Sequence, residues 1–174
     1  MKIKDGRELL IRKAEIEDAR KLAEYMMAIP KESDFLTFGE NELNFTTEIE
    51  EKIINSMEGK DNSIMLLAVI DGEIAGNCTF RAGVRKRTRH AGEFGITVRK
   101  SYWGLGIGSL LMEALIFWAK DTKIIRKINL RVRTDNHKAI KLYEKFGFER
   151  EGIIRRDFLI DGRYYDSILM VLLL

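Results

Sequence analysis

Between Tyr102 and Leu115 the chain reads YWGLGIGSLLMEAL, with glycines at 104, 106 and 108 directly ahead of a helical run. Glycine loses more backbone freedom on folding than any other residue, so three at alternate positions mark a place where the main chain turns tightly or approaches something closely. The preceding GEFGITV reads as a strand, and beyond the glycines Leu110, Leu111, Ala114, Leu115 and Trp118 share one helix face. A strand, a glycine turn and a helix make a natural anion site. The first N–H groups of the helix have no internal partner, and its dipole favours negative charge there. Taken by itself the stretch serves equally well as a plain connector. It departs from two familiar phosphate loops: Ser109 or Leu111 stands where G-x-G-x-x-G needs its third glycine, and no lysine follows as a P-loop requires.

The rest of the chain supplies the frame. Over 174 residues there is one proline, no repeat and no Ser/Gly-rich linker, so one domain spanning 1–174 is expected. ELLIRKA reads as a strand. Ile16, Ala19, Leu22, Ala23, Met26 and Met27 then recur with helical period until Pro30, and Ile49, Ile53, Ile54 and Met57 do so in TTEIEEKIINSME. SIMLLAVI and EIAGNCTFRA flank Asp71-Gly72, a strong hairpin signal, and KINLRVR alternates with period two. DNHKAIKLYEKF starts on a capping residue and ends just before Gly147, which bounds a helix, and two final strands surround Asp161-Gly162. The order β-α-α-β-β-β-α-β-α-β-β predicts an α/β (α+β) fold built on one twisted sheet.

Charge and composition exclude several function classes. A formal net charge of +3 is too mild to argue for nucleic acid or a membrane surface. The basic cluster RKRTRH, Arg85 to His90, reads as a solvated turn without the interleaved aromatics that base stacking uses, and only strong salt-dependent binding to DNA or RNA would promote a nucleic-acid module. One cysteine and two histidines leave no material for a disulfide or a zinc cage, so no metal is expected. No window approaches the roughly 18 apolar residues of a spanning helix. The N-terminus MKIKDGRELLIRKAE lacks the features of a secretory signal, and a reducing cytoplasm is expected.

Thirty residues past the glycines, Asn136 and Tyr143 lie seven apart on one helix, two turns, and point the same way. An amide and a phenol on one face suit a ligand with an amide-bearing arm; a helix cap and a core aromatic are the simpler alternative. Together ITV, WGLGIGSLL and N……Y..FGF resemble the acetyl-CoA site of the GNAT superfamily of N-acetyltransferases, most specifically from Glu93 to Phe148. The element order is also that family's. The family pattern Q/R-x-x-G-x-G/A falls on Trp103-Gly104-Leu105-Gly106-Ile107-Gly108, with tryptophan in the place of the polar first residue.

The resemblance implies a mixed sheet of about seven strands splayed at the fourth and flanked by about four helices, with acetyl-CoA as co-substrate. It implies that Ile96, Thr97 and Val98 pair their backbone with the pantetheine arm like an added strand. Gly104 and the segment Leu105, Gly106, Ile107, Gly108 and Ser109 hold the pyrophosphate, and Asn136 binds the arm. Tyr143 protonates the departing thiolate, Glu93 serves as base directly or through water, and the Val98 N–H stabilises the oxyanion. A base matters because neutralising a lysine-like amine at pH 7 costs about 4.6 kcal/mol, against about 1.4 for a peptide N-terminus. Other members use a glutamate in an LEV-like segment, where this chain has Arg131; His90 is a lesser base candidate. Cys78 admits a covalent step, but no histidine stands near to activate it, and it reads better as a small buried strand residue.

The loop PKESDFLTFGENELNF carries Asp34, Glu40 and Glu42 among Phe35, Phe38 and Phe45, a composition suited to a cationic amine against an apolar wall or to plugging the core. The ending EG…DFLIDGRYYD…M resembles the spermidine-type and ribosomal-protein alanine N-acetyltransferase branches. The expected acceptor is a small-molecule amine or a protein N-terminal amine, and the family includes homodimers. A non-catalytic acyl-CoA sensor on the same fold is the alternative.

Overall fold

The computed structural model describes residues 1–174. The strands are β1 (Leu9–Lys13), β2 (Ser63–Ile70), β3 (Glu73–Ala82), β4 (Ala91–Val98), β5 (Lys127–Arg133), β6 (Glu149–Ile160) and β7 (Arg163–Leu173); the helices are α1 (Ala19–Ala28), α2 (Thr47–Asn55), α3 (Ile107–Asp121) and α4 (His137–Lys145). They follow the predicted order and form one seven-stranded sheet arranged β1-β2-β3-β4-β5-β7-β6. Every neighbouring pair is antiparallel except β4 and β5.

Local chemistry sets the hairpins. Asp71 and Gly72 both take positive φ, 51° and 79°, as do Asp161 and Gly162, 48° and 77°. Two such residues in succession give the turn whose twist matches antiparallel strands. Helices cover both faces of the sheet. Leu66, Ala68 and Ile70 of β2 share a core with Leu111 and Leu115 of α3, while Met65 and Leu67 pack with Leu22 and Tyr25 of α1 and Ile54 of α2. Burial on both faces explains why SIMLLAVI is apolar throughout rather than alternating.

The first helical run differs from its sequence pattern. Ile16 to Asp18 form a 3-10 turn, where Asp18 accepts from the Glu15 backbone and from Arg12, and α1 begins only at Ala19. Ile16 and Met27 are exposed instead of joining the core, Ile16 because it sits on the 3-10 turn and Met27 because it falls on the flank of the stripe formed by Ala19, Leu22 and Ala23.

The parallel pairing of β4 with β5 is the feature that positions the site. It covers only Ala91–Lys127, Gly92–Ile128 and Glu93–Asn129, after which the two strands part, while β4 stays paired to β3 through Val98. Arg99 N–H donates to the Ala75 carbonyl and Ala91 carbonyl accepts from Gly83 N–H. Odd-numbered residues of β4 therefore turn their backbone groups toward β3, and Phe94, Ile96 and Val98 turn theirs into the gap.

Candidate active site

A cleft of about 1340 Å³ opens at this gap. That exceeds the usual room of a pocket for a single small molecule, about 300–1,000 Å³. It is lined by Glu93, Ile96, Thr97, Val98, Gly104, Gly106, Ile107, Gly108, Ser109, Asn136 and Tyr143, so the structure brings together every expected site residue except Leu105, whose side chain packs on the core. A second recess of about 540 Å³, near Glu15 and Asn55, holds none of these groups.

At one end, Gly104 and Gly106 have φ of 82° and 90°, and Gly106 stands at the N-cap of α3. The N–H groups of Gly106, Ile107, Gly108 and Ser109 have no acceptor within the protein. This is a concave run of donors at the positive end of a fifteen-residue helix. Trp103, unusual for the pattern, donates its indole N–H to the Val98 carbonyl at 2.7 Å and ties the glycine turn to the end of β4.

Along the gap, Ile96 and Val98 present backbone groups, but Thr97 does not. Its backbone faces β3, and its hydroxyl lies 2.8 Å from the Tyr25 phenol. Across from them Asn136 caps α4, its Oδ1 accepting from Ala139 N–H at 3.2 Å. The cap and ligand readings of Asn136 are compatible, since its NH₂ group remains a donor facing the cleft. Tyr143 is 8% exposed and meets Phe94 edge-on, with ring centroids 5.8 Å apart. Its hydroxyl makes no hydrogen bond inside the protein, and burial holds the phenol above its ordinary pKa, keeping it protonated.

Glu93, Gly95 and Thr97 face the opposite side of the sheet from Phe94 and Tyr143, toward α1 and the loop that follows it. That side is walled by Phe35, Leu36 and Phe38. Of the two roles open to the loop, the three acids named for a cation seat do not form one: Glu40 pairs with Lys31 at 3.4 Å, Glu42 accepts from Gly39 N–H, and neither they nor Asp34 line the cleft, while Glu32, which does, accepts from Arg99 Nε and Lys100 N–H. Phe45 stacks on Phe38 from outside it.

His90 lies on an exposed turn and Cys78 is fully buried, both outside the cleft lining. Burial pushes the Cys78 thiol up to about 12, so it is no thiolate nucleophile at neutral pH. Arg85 to His90 form the solvated turn expected, with Arg89 paired to Asp61 at 2.7 Å.

Two residues escaped the sequence reading. Arg133, 5% exposed, donates Nε and Nη2 to Asp135 and Nη1 to the Asp34 carbonyl, and its guanidinium lies over Tyr165 at 3.9 Å and Phe35 at 4.9 Å. Its hydrogen bonds hold the Asp135 carboxyl below the usual range. The signal was an arginine closing an apolar strand, KINLRVR. Arg81 lines the cleft directly across from Glu93, as the hairpin register places it. No group of three or more His, Cys, Asp or Glu side chains gathers to hold a metal.

Residues 23–148 match the acetyltransferase (GNAT) family. The L-amino acid N-acetyltransferase AaaT of Escherichia coli K12 is 37% identical over 105 residues, 60% of this chain; the aligned stretch spans 65% of AaaT, just under two thirds. The crystal structure of a GNAT-family acetyltransferase from Streptococcus pneumoniae superposes with a TM-score of 0.93 at 40% identity, covering 96% of this chain and all of that one. The structure of yncA from Salmonella typhimurium with its cofactor acetyl-CoA shares the fold, with a TM-score of 0.84 at 18% identity over 95% of this chain and 94% of that one.

Proposed function

Because the chain belongs to the acetyltransferase (GNAT) family, we propose that it works as one N-acetyltransferase domain, moving acetyl from acetyl-CoA to a primary amine by direct attack in a ternary complex. The observation that carries this is the parting of β4 and β5 beyond Glu93 and Asn129, which leaves the backbone groups of Ile96 and the N–H of Val98 open between the helix mouth and Tyr143.

The four free N–H groups at Gly106 to Ser109 bind the pyrophosphate, and Ile96, Val98 and the Asn136 amide guide the pantetheine arm between the strands. The thioester then reaches the end of the gap, its carbonyl oxygen facing the Val98 N–H. The amine approaches from the α1 side and yields one proton to Glu93. Its nitrogen bonds to the carbonyl carbon, the C–S bond breaks, and the second amine proton ends on sulfur, with the neutral Tyr143 phenol stabilising the thiolate as it leaves. A cleft wide enough for two reactants and a buried, inert Cys78 both favour direct transfer over an acetyl-cysteine intermediate. The acceptor is a small molecule or a protein N-terminus. No helix is long and apolar enough to cross a membrane, and we assign the reaction to the cytoplasm, where a lone thiol stays reduced.

The reading is tested by following thiol release from acetyl-CoA with amino acids, polyamines, aminoglycosides and N-terminal peptides. At least one amine accelerates release; coenzyme binding with no release from any amine would leave the sensor reading standing. Glu93→Gln is expected to lower kcat/KM by about 10²-fold at pH values below the acceptor amine's pKa, and much less above it. A pH–rate profile identical to that of the unmodified enzyme removes Glu93 from the mechanism.

A further inference from the structure

We infer that the acceptor is a zwitterion, an α-amino acid with an apolar side chain, whose carboxylate is held by Arg81 and Arg131 while its amine meets Glu93. The inference rests on the transferase reading and names the substrate class of the same site.

A row of residues crosses the sheet where the gap begins. Arg81 of β3 stands directly opposite Glu93 of β4, and Glu93 directly opposite Asn129 of β5. Arg131 lies two residues further along β5, on the same face as Asn129. Two strand spacings and a two-residue rise separate the arginines, and β4 and β5 part beyond Glu93, so they start from either side of Glu93, at least about 12 Å apart. All three side chains line the cleft.

Opposite charges directly across an antiparallel pair normally bond to each other. Here neither Arg81 nor Glu93 makes an ion pair or a side-chain hydrogen bond, although their strands are in register. Glu50 of α2 is buried nearby: burial raises its pKa, Arg81's charge works against that shift, and it does not line the cleft. Arg131 commits Nη1 to Asp157 at 3.2 Å and lies 5.9 Å from the Phe158 ring. Its other donors are uncommitted. An unpaired anion between two guanidiniums with free donors is the complement of a molecule carrying an ammonium and a carboxylate one carbon apart.

The same lining disfavours a polyamine. A second or third ammonium would meet two guanidiniums, and the acids that would offset them are engaged: Glu32 and Asp135 of the cleft lining with Arg99 and Arg133, and Glu40 and Glu42 outside it with Lys31 and the Gly39 backbone. The wall of Phe35, Leu36 and Phe38 offers the remaining substituent an apolar surface. Acetylation removes the ammonium charge that Glu93 recognises, so the product keeps only its carboxylate contacts and leaves more readily.

The test compares thiol release by the full-length enzyme, at saturating acetyl-CoA, with L-leucine and L-phenylalanine, their carboxamides, and spermidine. The free acids are expected to exceed their amides in kcat/KM by about 10- to 100-fold, the worth of hydrogen bonds to a charged group. In Arg81→Gln that ratio collapses toward unity through KM, and Arg81→Lys recovers part of it. A residue needed only for folding would lower both substrates together and leave the ratio intact, which overturns the assignment. Turnover of spermidine or of the amides at rates equal to the free acids overturns it while leaving the transferase reading in place. Release with no amine at all sinks the transferase reading and this inference with it.

Discussion

Tyr143→Phe will lower kcat by about 10²- to 10³-fold while coenzyme A binds as before. The substitution deletes one oxygen that has no hydrogen-bond partner inside the protein, and the ring that remains keeps its contacts with Phe94 and Phe148. The fold therefore has nothing to lose. The proposed reaction does, because its departing thiolate would develop charge in a gap lined by the apolar Phe94 and Ile96, where one donor matters most. The phenol is held above its usual pKa by burial, so in the proposed mechanism it stays neutral and donates a hydrogen bond rather than its proton; the proton finally placed on sulfur would be the second one shed by the amine. Steady-state thiol release gives kcat, and calorimetry with coenzyme A gives affinity. An unchanged kcat would mean that the thiolate leaves without help from this side chain.

The second large effect belongs to the helix mouth. Gly106 has φ of 90°, and a Cβ built on it meets no atom within 4 Å. The protein has room for a methyl group there, yet its backbone disfavours one: an L-residue in that region costs about 1–2 kcal/mol. Gly106→Ala is expected to lose stability of that order and, by rotating the peptides that aim the four free N–H groups, to weaken coenzyme A binding at least tenfold. Gly108 supplies the contrast. Its φ is ordinary, and its Cβ would meet only a Leu142 methyl at 3.5 Å, so Gly108→Ala gains helix propensity of about 0.5–1 kcal/mol and raises Tm. Calorimetry and thermal melts distinguish the two. Coenzyme affinity unaffected by Gly106→Ala would move the pyrophosphate away from this turn.

The elements were legible because each carries a local signal: two Asp-Gly turns, a period of two in KINLRVR, a capped and glycine-bounded α4. The groups proposed for binding were legible for the same reason, since free helix N–H groups and a glycine turn are local properties. What the sequence hid was long-range. The order β5-β7-β6 and the three-pair limit of β4 with β5 depend on which strands meet in space. Nothing local reveals that Arg133 reaches the Asp34 carbonyl across 99 residues, or that Glu42 turns back to cap Gly39 instead of facing a substrate. Composition left that loop two roles, a cation seat or a plug; side-chain direction, which composition does not contain, turns Glu40 and Glu42 away while Phe35 and Phe38 line the cleft. Thr97 makes the same point on a smaller scale, because strand alternation sends its backbone to β3 while its neighbours open to the cleft.

In main-chain bonding, the four strands before the gap and the three after it are joined by three residue pairs. The rest of the joint is apolar: Phe80, Phe94 and Leu115 on one side share a single core with Ile128, Leu130 and Met170 on the other. A coenzyme threaded between them, as proposed, would bridge the span, and by mass action the free energy of that binding would be added to the resistance of the whole protein against unfolding. Its endurance would then rise with its supply of acetyl donor, one thermodynamic linkage seen from two sides.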